Sequence, residues 1–445
     1  MGRLVFGLAL CLLLMGVDCS ALSNPSAVYC GRMGYQYEAG EGVCVTGDGA
    51  RLAAWDFYRG KVGAKYSFCA RKGYDTVSEK VRQDSYYSEM PYCVNPSTKK
   101  KTPMFDLMAA EGLDVQVKDS SSAADGSIAS AKVAGTFPAA FDWRSFGGHS
   151  YIGPIRDQGN CGSCYAFGAA AAAEGTYNFA TGSVDASVSD YSESYIMWCL
   201  GRLPEYGSHF FGCSGADYDY KELEALTTYG IIGEPLFPYT INDPGSCTYW
   251  ADSATKFSSW QRIASGDVNA MKNAIMTYGV IDVAVYAGNG FQSYSGGIYR
   301  DTKTSCLQGY YTQTNHAVAL VGWGTDSVYG DYWILRNSWG PGWGENGYMR
   351  IQAKSARISC EATYLAYTTT ATTTTTTTST TTTTASTTTT MLLPSCAGTM
   401  YLQCGGLDKK TCPKAYMFSA GDSAYYGCKW VPSAKICSQG AACAP

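Results

Sequence analysis

The stretch Gln158-Gly159-Asn160-Cys161-Gly162-Ser163-Cys164-Tyr165-Ala166-Phe167-Gly168-Ala169 decides how the rest of the chain is read. Two cysteines stand three apart, glycines loosen the backbone around them, and helix formers follow from Ala169 to Glu174. This pattern predicts a loop that feeds a buried helix, with Cys164 in the first turn. The positive end of a helix favours thiolate over thiol, so such a cysteine suits nucleophilic chemistry. The competing reading makes Cys164 half of a structural disulfide.

The flanking segments set the context. Arg3, an apolar run from Leu4 to Val17, and the small residues Cys19-Ser20-Ala21 read as a signal peptide over residues 1–21. The apolar run is too short to span a bilayer, and no later stretch reaches about 18 apolar residues. We therefore expect entry into the secretory pathway, an extracellular or lysosome/vacuole-like compartment, and no membrane anchor. A formal charge of −4 over 445 residues carries no nucleic-acid footprint. Of 19 cysteines, removing Cys11 and Cys19 with the signal leaves 19 − 2 = 17, so one thiol is left over. The three groups are Cys30 to Cys93 (four), Cys161 to Cys360 (seven) and Cys396 to Cys443 (six). The odd thiol belongs to the middle group; parity does not say which it is.

Working outward, residues 22–95 read as a small Cys-containing module of short strands with turns at glycines. Asn24 to Cys30, Gly42-Val43-Cys44 and Trp55 to Gly60 resemble a small domain of bacterial secreted proteins and lipoproteins. An inhibitory or ligand-binding role for this module is one alternative. Residues 96–136 read as a propeptide-like linker, with a short helix at Met104 to Gly112. Residues 137–367 read as the main globular domain. Helices are expected at Cys164, at Tyr218 to Tyr229, and at Val268 to Tyr278 with Gly279 as its cap. Strands are expected at Val280 to Val285, His316 to Val321, Tyr332 to Leu335 and Gly347 to Ile351. Helices early and antiparallel strands late imply a two-lobed α+β domain. Residues 368–390 hold 19 Thr, two Ala and two Ser, the composition of an O-glycosylated stalk. Residues 391–445 hold six cysteines and read as a disulfide-stapled module that binds a surface or carbohydrate. Its Gln403-Cys404-Gly405-Gly406 resembles fungal cellulose-binding modules, although the other spacings do not follow them.

A thiol nucleophile needs a base, and three histidines are present: His149, His209 and His316. The first two read as loop or packing residues. His316 opens an apolar strand that would hold its ring rigidly. Asn337 can accept its ring N–H, and Trp339 can cover that bond from water. No metal or cofactor is expected.

Gln158 to Phe167, Asn315-His316-Ala317-Val318, Asn337-Ser338-Trp339-Gly340 and Gly340 to Tyr348 together resemble the papain family of cysteine peptidases, from Phe137 to about Leu365. The resemblance implies the two-lobed fold, with a helical left lobe and an antiparallel β right lobe, and hydrolysis of protein or peptide substrates. It implies that Cys164 is the nucleophile, that His316 forms the ion pair with it, that Asn337 orients His316 and that Gln158 donates to the oxyanion. It implies substrate contacts at Gly162, Ser163, Gly215, Ala216, Asp217, Ala284 and Asn315. The implied disulfides are Cys161–Cys213, Cys199–Cys247 and Cys306–Cys360, which leave Cys164 free. Thr314 to Ser327 and Ser150 to Gln158 are similar to cathepsin C, a dipeptidyl-peptidase. The first 95 residues do not resemble its exclusion domain, so an endopeptidase made as a zymogen is expected. A binding protein that uses the fold only as a scaffold is the alternative from another class. Asp217, where the family has an apolar or aromatic residue, predicts tolerance of basic residues at P2, and Ala216 adds a methyl where the family has glycine.

Overall fold

The structure is a computed structural model that describes residues 22–115, 137–217, 220–247, 253–306 and 314–368, with the backbone of four strands further on. The expected signal peptide, most of the linker and nearly all of the Thr-rich tract lie outside the described residues. Residues 22–115 join the segment from Pro138 to Asn178 and from Val184 to Tyr367 in one compact unit.

The N-terminal part begins with helix α1 (Pro25–Arg32), not with a strand. Asn24 caps it, accepting from the Ser26 amide at 2.9 Å, and Pro25 presets the first helical φ. A small sheet follows, β1 (Gln36–Glu38), β2 (Val43–Val45) and β3 (Arg51–Ala53), then helices α2 (Ala54–Tyr58) and α3 (Phe68–Arg71). The next element departs from the expected short strands. β4 (Asp75–Gln83) and β5 (Tyr86–Val94) form a nine-residue hairpin, with β6 (Lys101–Pro103) beside β5. Helix α4 (Met104–Ala110) closes the module near its expected place. Disulfides Cys30–Cys44 and Cys69–Cys93 are both internal to it.

Beyond β7 (Phe141–Asp142), helix α5 (Cys164–Thr181) is apolar on nearly every face, and 14 of its 18 residues are buried. A helix without a polar face must be wrapped on all sides. On one side it meets α6 (Lys221–Thr228), shorter than its expected span, in a core that includes Ala166, Ala170, Leu223 and Leu226. On the other it lies against β9. A Cβ on Gly175 would stand 2.1 Å from Val280 Cγ2, so glycine sets this close approach.

The remaining elements are β8 (Ser259–Arg262), α7 (Val268–Tyr278), β9 (Ile281–Val285), α8 (Asn289–Gln292), β10 (Tyr294–Tyr299), β11 (His316–Asp326), β12 (Gly330–Arg336), β13 (Tyr348–Gln352) and β14 (Glu361–Ala366). Helix α7 has its expected bounds, because Asp267 caps it and Gly279 ends it at φ 109°. The strands form one sheet in the order β4-β5-β10-β13-β12-β11-β9-β14-β8. Most pairs are antiparallel, as expected, but β10 and β13 run parallel. β10 was not expected, since Gly296 and Gly297 interrupt it. A Cβ on Gly297 would stand 2.6 Å from the Ser85 carbonyl, and this is where the hairpin of the N-terminal module joins the sheet. The chain thus folds as a helical layer and a β layer, with Cys164 where they meet.

A separate four-stranded sheet comprises β15 (Thr399–Tyr401), β16 (Ala415–Ser419), β17 (Ala424–Val431) and β18 (Ile436–Cys443). The disulfides and ligand expected of residues 391–445 fall on side chains outside the described residues.

Candidate active site

Disulfides form at Cys161–Cys213, Cys199–Cys247 and Cys306–Cys360. Among the described residues Cys164 is the free cysteine, and it is buried at the head of α5. The Cys161–Cys213 bridge and the bond from Gly162 N–H to the Cys213 carbonyl, 2.9 Å, bring the loop from Gly215 to Asp217 beside it. On the opposite wall, β11 starts at His316. A Cβ on Gly168, one turn into α5, would stand 3.5 Å from Ala317 Cβ, so the head of the helix lies against β11.

His316 Nε2 lies 2.7 Å from Asn337 Oδ1, and the same oxygen accepts the Ser338 amide at 2.8 Å. An oxygen can only accept, so Nε2 carries the hydrogen. In the neutral ring Nδ1 then holds the lone pair, and it is buried without a hydrogen-bond partner. Trp339 stacks on the imidazole, with centroids 4.6 Å apart and planes 26° apart. Burial pushes the Cys164 thiol up to about 12, partly offset by the amides of Ala317 and Tyr165. Burial also pulls His316 down to about 4 against the opposing effect of Asn337. Both shifts share one cause: burial disfavours charge on either group while the cleft is occupied. The cleft beside the pair is occupied by the chain itself.

Gln158 shows what fills it. Its Oε1 accepts from the Ser338 hydroxyl at 2.7 Å, which fixes the amide orientation. Its Nε2 donates to the Cys161 carbonyl at 2.7 Å and to the Leu22 carbonyl at 2.9 Å. The Leu22 amide donates to the Asn315 carbonyl, also at 2.9 Å. Two residues on, the Asn24 amide bonds the Gly159 carbonyl at 3.1 Å. The Asn24 side chain is fully buried and bonds Asp157 Oδ1 at 2.8 Å and Tyr37 at 3.1 Å. Tyr37 in turn donates to Asp157 Oδ2 at 2.5 Å. Trp55 Nε1 donates to the Trp339 carbonyl at 2.7 Å, and Arg59 donates to the Gly342 carbonyl at 3.0 Å. The N-terminal module is therefore seated in the cleft through buried polar groups.

Other expected contact residues fall into two sets. Asn315 is held by its Oδ1, which accepts the Ala287 amide at 2.7 Å, and Ala284 is buried in β9 opposite Ala317. Ser163 pairs with Tyr239 at 2.7 Å, and Tyr239 donates to the Gln158 carbonyl at 2.8 Å. Gly215 adopts φ 104°, and Ala216 follows it in the same loop. Asp217 is not a bare carboxylate, since His209 Nδ1 lies 2.9 Å from it. His149 is remote in role, pairing with Asp185 at 2.7 Å on the surface. Sequence reasoning missed Leu22, Asn24, Tyr37, Trp55, Asp157 and Tyr239. The Trp55 to Gly60 cluster was visible, but only docking reveals what it covers.

Residues 137–412, more than half of the chain, match the family described as "Papain family cysteine protease". Cysteine proteinase 1 of Entamoeba histolytica is 37% identical over 235 residues, 51% of this chain and 68% of that protein. A cathepsin L-like protein of Caenorhabditis elegans is 35% identical, over 52% of this chain and 64% of that protein. Among solved structures, digestive procathepsin L 3 of Tenebrio molitor aligns at 32% identity and a TM-score of 0.45, covering 53% of this chain and 71% of that one. With the motifs, the disulfide frame and the family match in agreement, the chain belongs to the papain family of cysteine proteases.

Proposed function

We propose that this hydrolase cleaves peptide bonds through Cys164 and His316, in the secretory pathway or a lysosome-like compartment, and that it is made as a zymogen. One observation carries the reading. The free cysteine heads a buried helix that lies against β11 at Ala317, next to a histidine whose second nitrogen is tied to Asn337.

The chemistry follows from the geometry. Nδ1 of His316 takes the thiol proton as sulfur attacks the substrate carbonyl. Asn337 holds the ring in the tautomer that leaves Nδ1 basic, and Trp339 shields that hydrogen bond. The Gln158 amide and the Cys164 backbone N–H receive the developing oxyanion; one such donor contributes roughly 3 kcal/mol to the barrier. The imidazolium then protonates the departing amine, and water hydrolyses the thioester.

The relatives' names favour an endopeptidase of cathepsin L type. The likeness of residues 150–158 and 314–327 to cathepsin C carries the alternative of a dipeptidyl-peptidase. Against it weighs the side on which the module sits, C-terminal to the residue at Gln158. The intact set of Cys164, His316, Asn337 and Gln158 weighs against a mere scaffold. The N-terminal module would act as the zymogen's cap, and Asp217, already in contact with His209, would favour basic P2 residues only weakly.

The test is alkylation with a thiol-directed epoxide at mildly acidic pH, before and after proteolytic removal of residues 22–115. Labelling confined to Cys164, with loss of peptidase activity, is expected after removal. Activity that survives Cys164→Ala would end the reading.

A further inference from the structure

The module does more than cover the cleft, because Leu22 lies in it as a substrate residue would. The carbonyl held by the oxyanion donor is the one a thiol in this site attacks. That carbonyl belongs to Leu22, held by Gln158 Nε2 at 2.9 Å. The amide of the same residue is fixed to Asn315 at 2.9 Å, so both ends of Leu22 are pinned and the chain direction is set. Everything after Leu22 runs onto the leaving-group side, where Asn24 is anchored on Gly159, Asp157 and Trp339. The peptide bond that follows the carbonyl held by Gln158 is thus Leu22–Ser23.

We propose that Leu22–Ser23 is the enzyme's own first substrate, cut in cis by Cys164. The proposal rests on the peptidase reading above and adds a cleavage site to it. The thiol proton passes to His316 Nδ1 while Sγ bonds to the Leu22 carbonyl carbon. The Leu22–Ser23 bond breaks, and the proton goes to the Ser23 nitrogen, which becomes an α-amine. Water then cleaves the thioester, leaving Leu22 as a carboxylate and restoring the thiol. Holding both partners in one chain removes the entropic cost of encounter, which makes a single turnover feasible. The cut clears the acyl position. It leaves the module seated from Asn24 onward, since its two disulfides and its buried hydrogen bonds are untouched.

The experiment is intact-mass and N-terminal sequencing of the full chain secreted from eukaryotic cells, for the native protein, Cys164→Ala and Ser23→Pro. The native protein should begin at Ser23, whereas both variants should retain Leu22. Proline at 23 makes the peptide nitrogen tertiary and leaves Cys164 intact, so it tests the site even where Cys164→Ala folds poorly. Epoxide labelling of each preparation, after removal of the module, reports the peptidase reading separately. A native protein that labels at Cys164 yet retains Leu22 overturns this proposal alone. A Cys164→Ala protein that begins at Ser23 also overturns it, because another protease then makes the cut. Absence of labelling in the native protein removes both.

Discussion

On the leaving-group side of Cys164, the cleft is lined by Asn24, Trp55, Asp157 and Trp339, all tied by hydrogen bonds within a dry interface. On the acyl side, the walls are Gly215, Ala216 and Asp217, a half-buried loop held by one disulfide. The first side has chain continuity, an extended sheet from β5 to β10, and the Arg300–Asp84 ion pair behind it. The second has a histidine–aspartate contact that water can reach. On the proposed reading, regulation would reside on one side and substrate choice on the other. Physical chemistry separates them: buried polar groups are costly to strand, so a substitution on the capped side should be felt strongly and one on the exposed side weakly.

Breaking the chemistry common to both sides has the largest effect. Cys164→Ala or His316→Ala should reduce kcat by at least about 10⁴-fold, since the pair acts as a unit, measured on any peptide substrate. Gln158→Ala comes next and bears on both sides at once. It should lower kcat by roughly 10²–10³-fold, as expected for one lost oxyanion donor. It also removes the donor that holds the Leu22 carbonyl, so the same variant should retain Leu22 at its N-terminus. Trp55→Ala tests the capped side alone. Losing this ring and its bond to Trp339 removes about 3 kcal/mol of seating, which raises a rare open population about 100-fold. Hydrolysis of peptides extended past the scissile bond should rise in that variant.

Protonation supplies a further contrast. In the capped chain the thiol's raised pKa keeps its proton until pH approaches 12, and the lowered pKa of His316 keeps it neutral above about 4. Alkylation of Cys164 in the Ser23→Pro chain should therefore climb about tenfold per pH unit from pH 5 to 9. With the module removed, water returns and the thiolate forms at lower pH, so the profile should flatten. A flat profile in the capped chain would show that burial does not control the pair. The smallest change is on the acyl side: Asp217→Asn should alter the Arg-to-Leu preference at P2 only a few-fold, because the carboxylate is half-exposed and already in contact with His209.

How much of this was legible in the sequence depended on the range of the interaction. Helix α7 was readable because its stop signal, Gly279, is local. The catalytic wall was readable because an apolar strand beginning at His316 and a polar Asn337 after another strand fix their own geometry. β10 was not, since its glycines read as a turn until the Ser85 backbone is placed against them. Nor was Leu22. It reads only as the first residue after an apolar leader, and its docking on Gln158 and Asn315 is what gives it a role. The pairing of His209 with Asp217 was hidden for the same reason.

The claim that the chain closes its own leaving-group side is tested most directly with two fluorogenic substrates that share their acyl residues. One carries a small amide reporter just after the scissile bond, and the other continues for four residues. Protein verified by mass to retain the module should hydrolyse the short substrate at least about tenfold faster, and the ratio should fall towards one in Trp55→Ala. Equal rates for both substrates in the intact protein would contradict the account.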